Sequence, residues 1–176
     1  MKSRITLIVV ALVCLNLAAC GKNEEPAKVA AVVIPESYSA TLAEGIQFAA
    51  KPNYPSFIKS VNGMSGYEPT GRWTEGKNVT FTFTQNLPAN FTLELDLAGA
   101  FGPNVGKVVQ IHVGDWKDQF VADEKSSANK FIVKTTAPSD SIEFAIPEPK
   151  SPKELGAGDD ARQLGIMFKR LGIVAN

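Results

Sequence analysis

Cysteine and histidine are nearly missing from this 176-residue sequence, which has two Cys and one His. That stock is too small for a zinc centre of the usual Cys/His type, and no metal or cofactor is expected. Charge of one sign is missing too. Eighteen Lys+Arg face 18 Asp+Glu for a formal net charge of zero, which gives no sign of a polyanion partner, and nucleic acid is not expected. No apolar run reaches the ~20 residues that cross a hydrocarbon core, and no stretch has a convincing amphipathic helical period. Hydrophobic residues at 44% and charged residues at 20% are ordinary globular values, which excludes disorder of the whole chain. The length suits one domain with a tail and is enough to bury a core.

What is present begins with an address. Lys2 and Arg4 precede a largely apolar run over 5–17, which ends in Leu17-Ala18-Ala19-Cys20-Gly21. A short basic region followed by an h-region of this length is a signal-peptide pattern. Small residues before Cys20 resemble the bacterial lipobox, which implies cleavage after Ala19 and lipidation of Cys20. The alternative is an ordinary secretory signal cut at the same place. Cleavage removes Lys2 and Arg4, leaving 16 basic and 18 acidic residues, a formal charge of −2. The single remaining Cys carries lipid, so no disulfide is available. Several acyl chains, at about 0.8 kcal/mol per buried methylene, make a stable anchor. Gly21, rather than Asp, after Cys20 points to the outer membrane. The expected organisation is a signal peptide over 1–19, a lipidated Cys and tether over 20–37, and a domain over 38–176.

In that domain the dominant period is two. Val79, Phe81 and Phe83 alternate with Thr80, Thr82 and Thr84, and Phe91, Leu93, Leu95 and Leu97 alternate with Thr92, Glu94, Asp96 and Ala98. The same alternation covers 109–113 and 142–146. Strict alternation marks strands with one buried and one wet face. Weaker strands are expected at 41–49, 56–62, 116–122, 130–135 and 164–173, with Gly, Pro and Asn turns between them. About nine short strands without a helix predict an all-β fold, an antiparallel β-sandwich of jelly-roll-like form. One helical turn is expected around 152–155.

Several runs in this order carry a resemblance: 38–48 (YSATLAEGIQF), 54–65 (YPSFIKSVNGMS), 66–74 (GYEPTGRWT), 87–95 (LPANFTLEL), 100–104 (AFGPN), 151–156 (SPKELG) and 160–165 (DARQLG). Together they resemble the C-terminal periplasmic domain of bacterial phosphoglycerol transferase I, which modifies osmoregulated periplasmic glucans. The resemblance covers about residues 38–174. It does not extend to that enzyme's catalytic domain, so no catalytic residue is carried over and no enzymatic activity is expected. What it implies is an association with envelope glycans.

The candidate ligand contacts are Arg72, Trp73, Glu75, Asn104, Asp160 and Arg162. In Gly71-Arg72-Trp73-Thr74-Glu75, an aromatic face beside an Arg and a carboxylate suits a sugar: the ring covers C–H groups while the charged groups bond hydroxyls. The competing reading makes Trp73 a core residue capping the sandwich and Arg72 an internal salt-bridge partner. Asp160 and Arg162 either present a donor–acceptor pair beside Trp73 or pair internally, with Glu68 a further partner for Arg162. Asn104 sits in a Gly-Pro-Asn turn whose chemistry already accounts for it. His112, out of phase with Ile111 and Val113, is expected on the wet face as a plain surface residue. The functional expectation is a membrane-anchored envelope lipoprotein whose non-catalytic module binds or positions glycans. The alternative is a structural accessory that docks on a membrane transferase.

Overall fold

A computed structural model describes residues 37–176. The signal peptide, the Cys20 lipidation site and all but the last residue of the tether lie outside the described residues. The described part contains no cysteine, so noncovalent contacts alone hold its fold.

Among the described residues ten strands form two antiparallel five-stranded sheets. The first sheet contains β1 (Ile46–Gln47), β3 (Arg72–Glu75), β5 (Asn90–Ala100), β8 (Ser127–Lys134) and β10 (Leu164–Ala175). Its order is β1-β10-β5-β8, with β3 also pairing β10. The second sheet runs β2 (Ile58–Asn62), β4 (Asn78–Phe83), β9 (Ser141–Ala145), β6 (Val108–Val113) and β7 (Trp116–Val121). From β4 onward the chain crosses between the sheets at every connection except the β6–β7 hairpin, a jelly-roll-like wiring.

The alternation fixes the core directly. Val79, Phe81 and Phe83 of β4, Phe91 to Leu97 of β5 at every second residue, and Val109, Ile111 and Val113 of β6 are all buried. Four rings from both sheets and the β1 edge meet at the centre. Phe168 on β10 lies 5.1 Å from Phe144, 5.4 Å from Phe48 and 5.9 Å from Phe81, centroid to centroid. Tilted and edge-to-face contacts of this kind add about 0.5–1.5 kcal/mol per pair beyond area burial.

Two expectations need revision. The strand expected over 41–49 shrinks to Ile46–Gln47, because Thr41 and Glu44 close a turn in which the Thr41 amide and hydroxyl both donate to the Glu44 carboxylate. The strand β3 occupies the Arg72–Glu75 run, for which the sequence predicts no strand. Four residues are too few for a period to emerge, yet Gly71 lets β3 lie close to β10. Gly71 has φ +149°, and a Cβ there would stand 2.4 Å from the Phe168 carbonyl oxygen. Thr74, wholly buried, accepts a 3.0 Å bond from the Ile166 amide through its hydroxyl.

Phe168→Ala is expected to cost about 3–5 kcal/mol of unfolding free energy, read as a lower urea midpoint. A loss below about 1 kcal/mol would mean that the four rings do not join the sheets.

Candidate functional site

Strand alternation decides the fate of the Arg72–Trp73 pair. Adjacent residues on a strand point to opposite faces, so the two side chains do not line one site. Arg72 turns inward and is buried. Its guanidinium stacks 4.5 Å from the Tyr54 ring and donates to the Pro52 carbonyl, leaving Nε without a partner. Burial pushes the Tyr54 hydroxyl up from its ordinary pKa, partly offset by the Arg72 charge. Arg72 is therefore a packing cation and not a surface ligand contact, a correction to the sequence reading. Its internal partners are a ring and a carbonyl rather than the expected salt bridge. Trp73 and Glu75 face outward. Trp73 is half-buried, opposite Met167 and edge-on to Phe101 at 6.1 Å, and Glu75 is exposed.

Asn104 also leaves the ligand set. It has no exposed surface. Its amide nitrogen donates to the carbonyls of Glu148 at 2.8 Å, Phe101 at 3.1 Å and Leu164 at 3.4 Å, while its oxygen accepts from the Glu148 amide at 3.0 Å. Both ends of the side chain are spent on stitching the 3-10 turn Gly102–Asn104 to the segment after β9 and to the first residue of β10, and nothing remains for a ligand.

Asp160 and Arg162 do come together, and they close on each other. Arg162 Nε and Nη2 grip the Asp160 carboxylate at 3.0 and 2.7 Å, while Nη1 reaches Glu68 at 2.9 Å. The Arg162 side-chain bonds hold the Asp160 carboxyl below its usual range. This clasp ties the loop before β10 to the hairpin before β3. Beside it, Ser151 and Glu154 form a reciprocal cap: the Ser151 amide donates to the Glu154 carboxylate at 2.9 Å and the Glu154 amide to the Ser151 hydroxyl at 3.1 Å. The expected helical turn is present here as a hydrogen-bonded turn, with the Leu155 amide donating to the Ser151 carbonyl.

The outer faces of the two sheets differ in what their polar groups are doing. On the first, Arg170 bridges Glu94 at 3.0 Å and Asp96 at 3.7 Å, and Lys130 meets Glu94 at 2.7 Å. Those charges neutralise one another. On the second, register aligns Asn62, Thr80, Glu143, His112 and Lys117 in one row across all five strands. Asn78, Ala145, Gln110 and Gln119 form the next row. Neighbours in such rows stand about 4.5–5.5 Å apart at Cβ. Among the described residues, none of these side chains bonds or ion-pairs to another protein group. Gln110, His112, Lys117, Asp118 and Gln119 line a groove of about 480 Å³ there. His112 faces out as the alternation predicts, but sequence reasoning gave it and Gln110 no functional role. Alternation shows which residues are wet; it does not show which wet residues of different strands stand side by side.

Among the described residues there is no cluster of three His, Cys, Asp or Glu side chains that could hold a metal, and no helix long and apolar enough to cross a membrane. What the described residues define is a β-sandwich module with one self-neutralised sheet face and one open polar face. The chain belongs to the DUF7024 family, a domain of unknown function whose model matches residues 34–175. No curated protein matches the sequence. Among solved structures it is similar to a family 29 carbohydrate binding module at 14% identity and TM-score 0.50, covering 74% of this chain and 86% of that one. It is equally similar to a variant of CBM29-2 made to probe ligand recognition in that family, at 13% identity and TM-score 0.50, covering 74% and 89%. At such identity the likeness is one of fold alone.

The Glu154 carboxyl is lowered to about 2, chiefly by the Ser151 amide, then by the Gln163 and Ser151 side chains. A depressed carboxylate stabilises the folded turn above its ordinary pKa and loses that contribution as pH falls towards about 2. Carbon-detected NMR of Glu154 is expected to show it still ionised at pH 3.5. Half-protonation near the ordinary value of 4.5 would mean the cap is not closed in solution.

Proposed function

We propose that this protein is a lipid-anchored lipoprotein of the bacterial envelope whose β-sandwich is a non-catalytic module that binds or positions periplasmic glycans. The observation that carries the glycan part is the open face of the second sheet. The side chains of its two rows are amides, hydroxyls, one imidazole and isolated charges, uncommitted among the described residues, and the bordering Asp118 accepts only from the adjacent Gln119 backbone amide at 2.8 Å. A saccharide chain is an array of neutral hydroxyls that donate and accept at once, and amides and hydroxyls match that double role. A groove along a sheet face receives an extended chain without any rearrangement of the backbone. The fold shared with family 29 carbohydrate binding modules supports the same reading, as does the resemblance to the terminal domain of a glucan-modifying transferase.

The anchor part rests on the sequence of residues 1–21. Lipid on Cys20 and a tether behind it hold the module near the bilayer, and Gly21 directs it to the outer membrane. The module then serves to retain glycan at the membrane surface or to present it to an envelope enzyme.

Isothermal titration of the full chain in detergent with periplasmic glucan is expected to give saturable binding. The doubly substituted Gln110→Ala, Gln119→Ala protein is expected to bind at least tenfold more weakly, and Trp73→Ala to bind like the parent. A flat titration of folded protein would replace this reading with that of a docking accessory. Separately, Cys20→Ser is expected to abolish incorporation of radiolabelled palmitate in bacterial cells; unchanged labelling would place the anchor elsewhere.

A further inference from the structure

A second recess lies at the β2–β4 end of the second sheet, just beyond Ser60 and Thr82. It has a volume of about 270 Å³. Leu42, Phe57, Phe83 and Leu87 supply its apolar surface, and Ser56, Thr84, Gln85 and Asn86 its polar rim. Phe57 is half-buried and lies parallel to Phe83, with centroids 6.0 Å apart and planes 9° apart.

The walls are held by backbone hydrogen bonds. The Leu42 carbonyl accepts from the Ile173 amide at 2.8 Å, the Phe57 carbonyl from the Thr84 amide at 2.9 Å, and the Leu87 amide donates to the Ser139 carbonyl at 2.8 Å. Backbone bonds to two neighbouring segments, and one between the lining residues Phe57 and Thr84, thus fix the shape. The Ser56, Gln85 and Asn86 side chains are different: they are exposed, and among the described residues none bonds to another protein group. A rigid apolar floor under three free polar side chains is a preorganised arrangement, which lowers the ordering cost of binding.

The lining also selects a chemistry. Among the described residues no charged side chain borders the recess, so a phosphate, carboxylate or ammonium group finds no counter-ion among them. Two primary amides and the Ser56 hydroxyl each donate and accept, the Thr84 hydroxyl, which donates to the Phe57 carbonyl at 3.3 Å, accepts only, and the Leu and Phe surfaces suit C–H groups. The volume lies just below the ~300–1,000 Å³ of sites for drug-sized ligands, which favours one ring over a chain. We infer that this recess binds a single neutral pyranose, either the end residue of a glycan or a free monosaccharide. It is a separate site from the sheet-face groove and stands or falls apart from it.

The test uses the full chain, ¹⁵N-labelled and in detergent, titrated with the methyl glycosides of glucose, mannose and galactose. At least one is expected to move the side-chain amide signals of Gln85 and Asn86 saturably. Asn86→Ala combined with Gln85→Ala, both at exposed loop positions, is expected to weaken that binding at least tenfold, read from the Leu87 and Thr84 backbone signals. Gln110→Ala is expected to leave it unchanged. A linear gluco-oligosaccharide binding tenfold more tightly than the methyl glycoside, with a cyclic glucan moving neither amide, identifies a glycan end as the occupant. Equal affinity for linear and methyl sugars identifies a free monosaccharide. Unmoved Gln85 and Asn86 signals with all three glycosides would overturn the inference, even where glucan still binds the groove. Binding unaffected by the double substitution would overturn it as well.

Discussion

Phe168 is placed where the two sheets must agree. It comes from β10, the strand that β1, β3 and β5 all pair with, and its ring meets Phe81 and Phe144 of the opposite sheet. With no cysteine in the described residues, this wedge and the alternating aliphatic rows around it bear the whole task of holding the sheets together. Register shifts in β10 on either side of Phe168 let the strand serve several partners while keeping that ring inside. Everything else is positioned by this constraint, including which residues of the second sheet are turned to water.

The polar groups of the molecule then divide into those that build and those that remain available. Arg72, Asn104 and Arg162 all look like ligand contacts in a linear sequence, and all three are consumed by the fold. Arg72 lies under Tyr54, Asn104 stitches a turn, and Arg162 clasps Asp160 and Glu68. Their buried or half-buried bonds are worth more than exposed pairs, and losing one partner would leave the other unsatisfied. The first sheet's outer charges are likewise neutralised by Arg170 and Lys130. By contrast, the row from Asn62 to Lys117 and the recess beside Phe57 contribute little to stability in any evident way. Polar surface that the fold does not use is where a ligand is best sought.

Much of the fold was legible in the sequence. Strict alternation in 79–83, 91–97, 109–113 and 142–146 named strands, faces and core residues together, because a period of two has no other cheap explanation. The short β3 escaped it, since four residues carry no period and its pairing depends on Gly71 meeting β10 far along the chain. That one omission also misplaced the candidate site, by putting Arg72 beside Trp73 instead of behind it. The sheet-face rows were half legible. Gln110 and His112 were read as wet, but their alignment with Glu143, Lys117 and Gln119 is a matter of register between distant strands, which no local pattern encodes.

The central claim is that the open face of the second sheet holds a glycan chain, and the protein carries its own reporter for it. His112 is the single histidine of the sequence and stands within the aligned row, between Glu143 and Lys117. Its imidazole C–H signals, free of overlap with any other histidine, should therefore be followed by NMR as periplasmic glucan is added to the full chain. The account predicts a saturable shift whose midpoint coincides with the calorimetric affinity. Binding that leaves the His112 signals unmoved, or no binding at all, would contradict it.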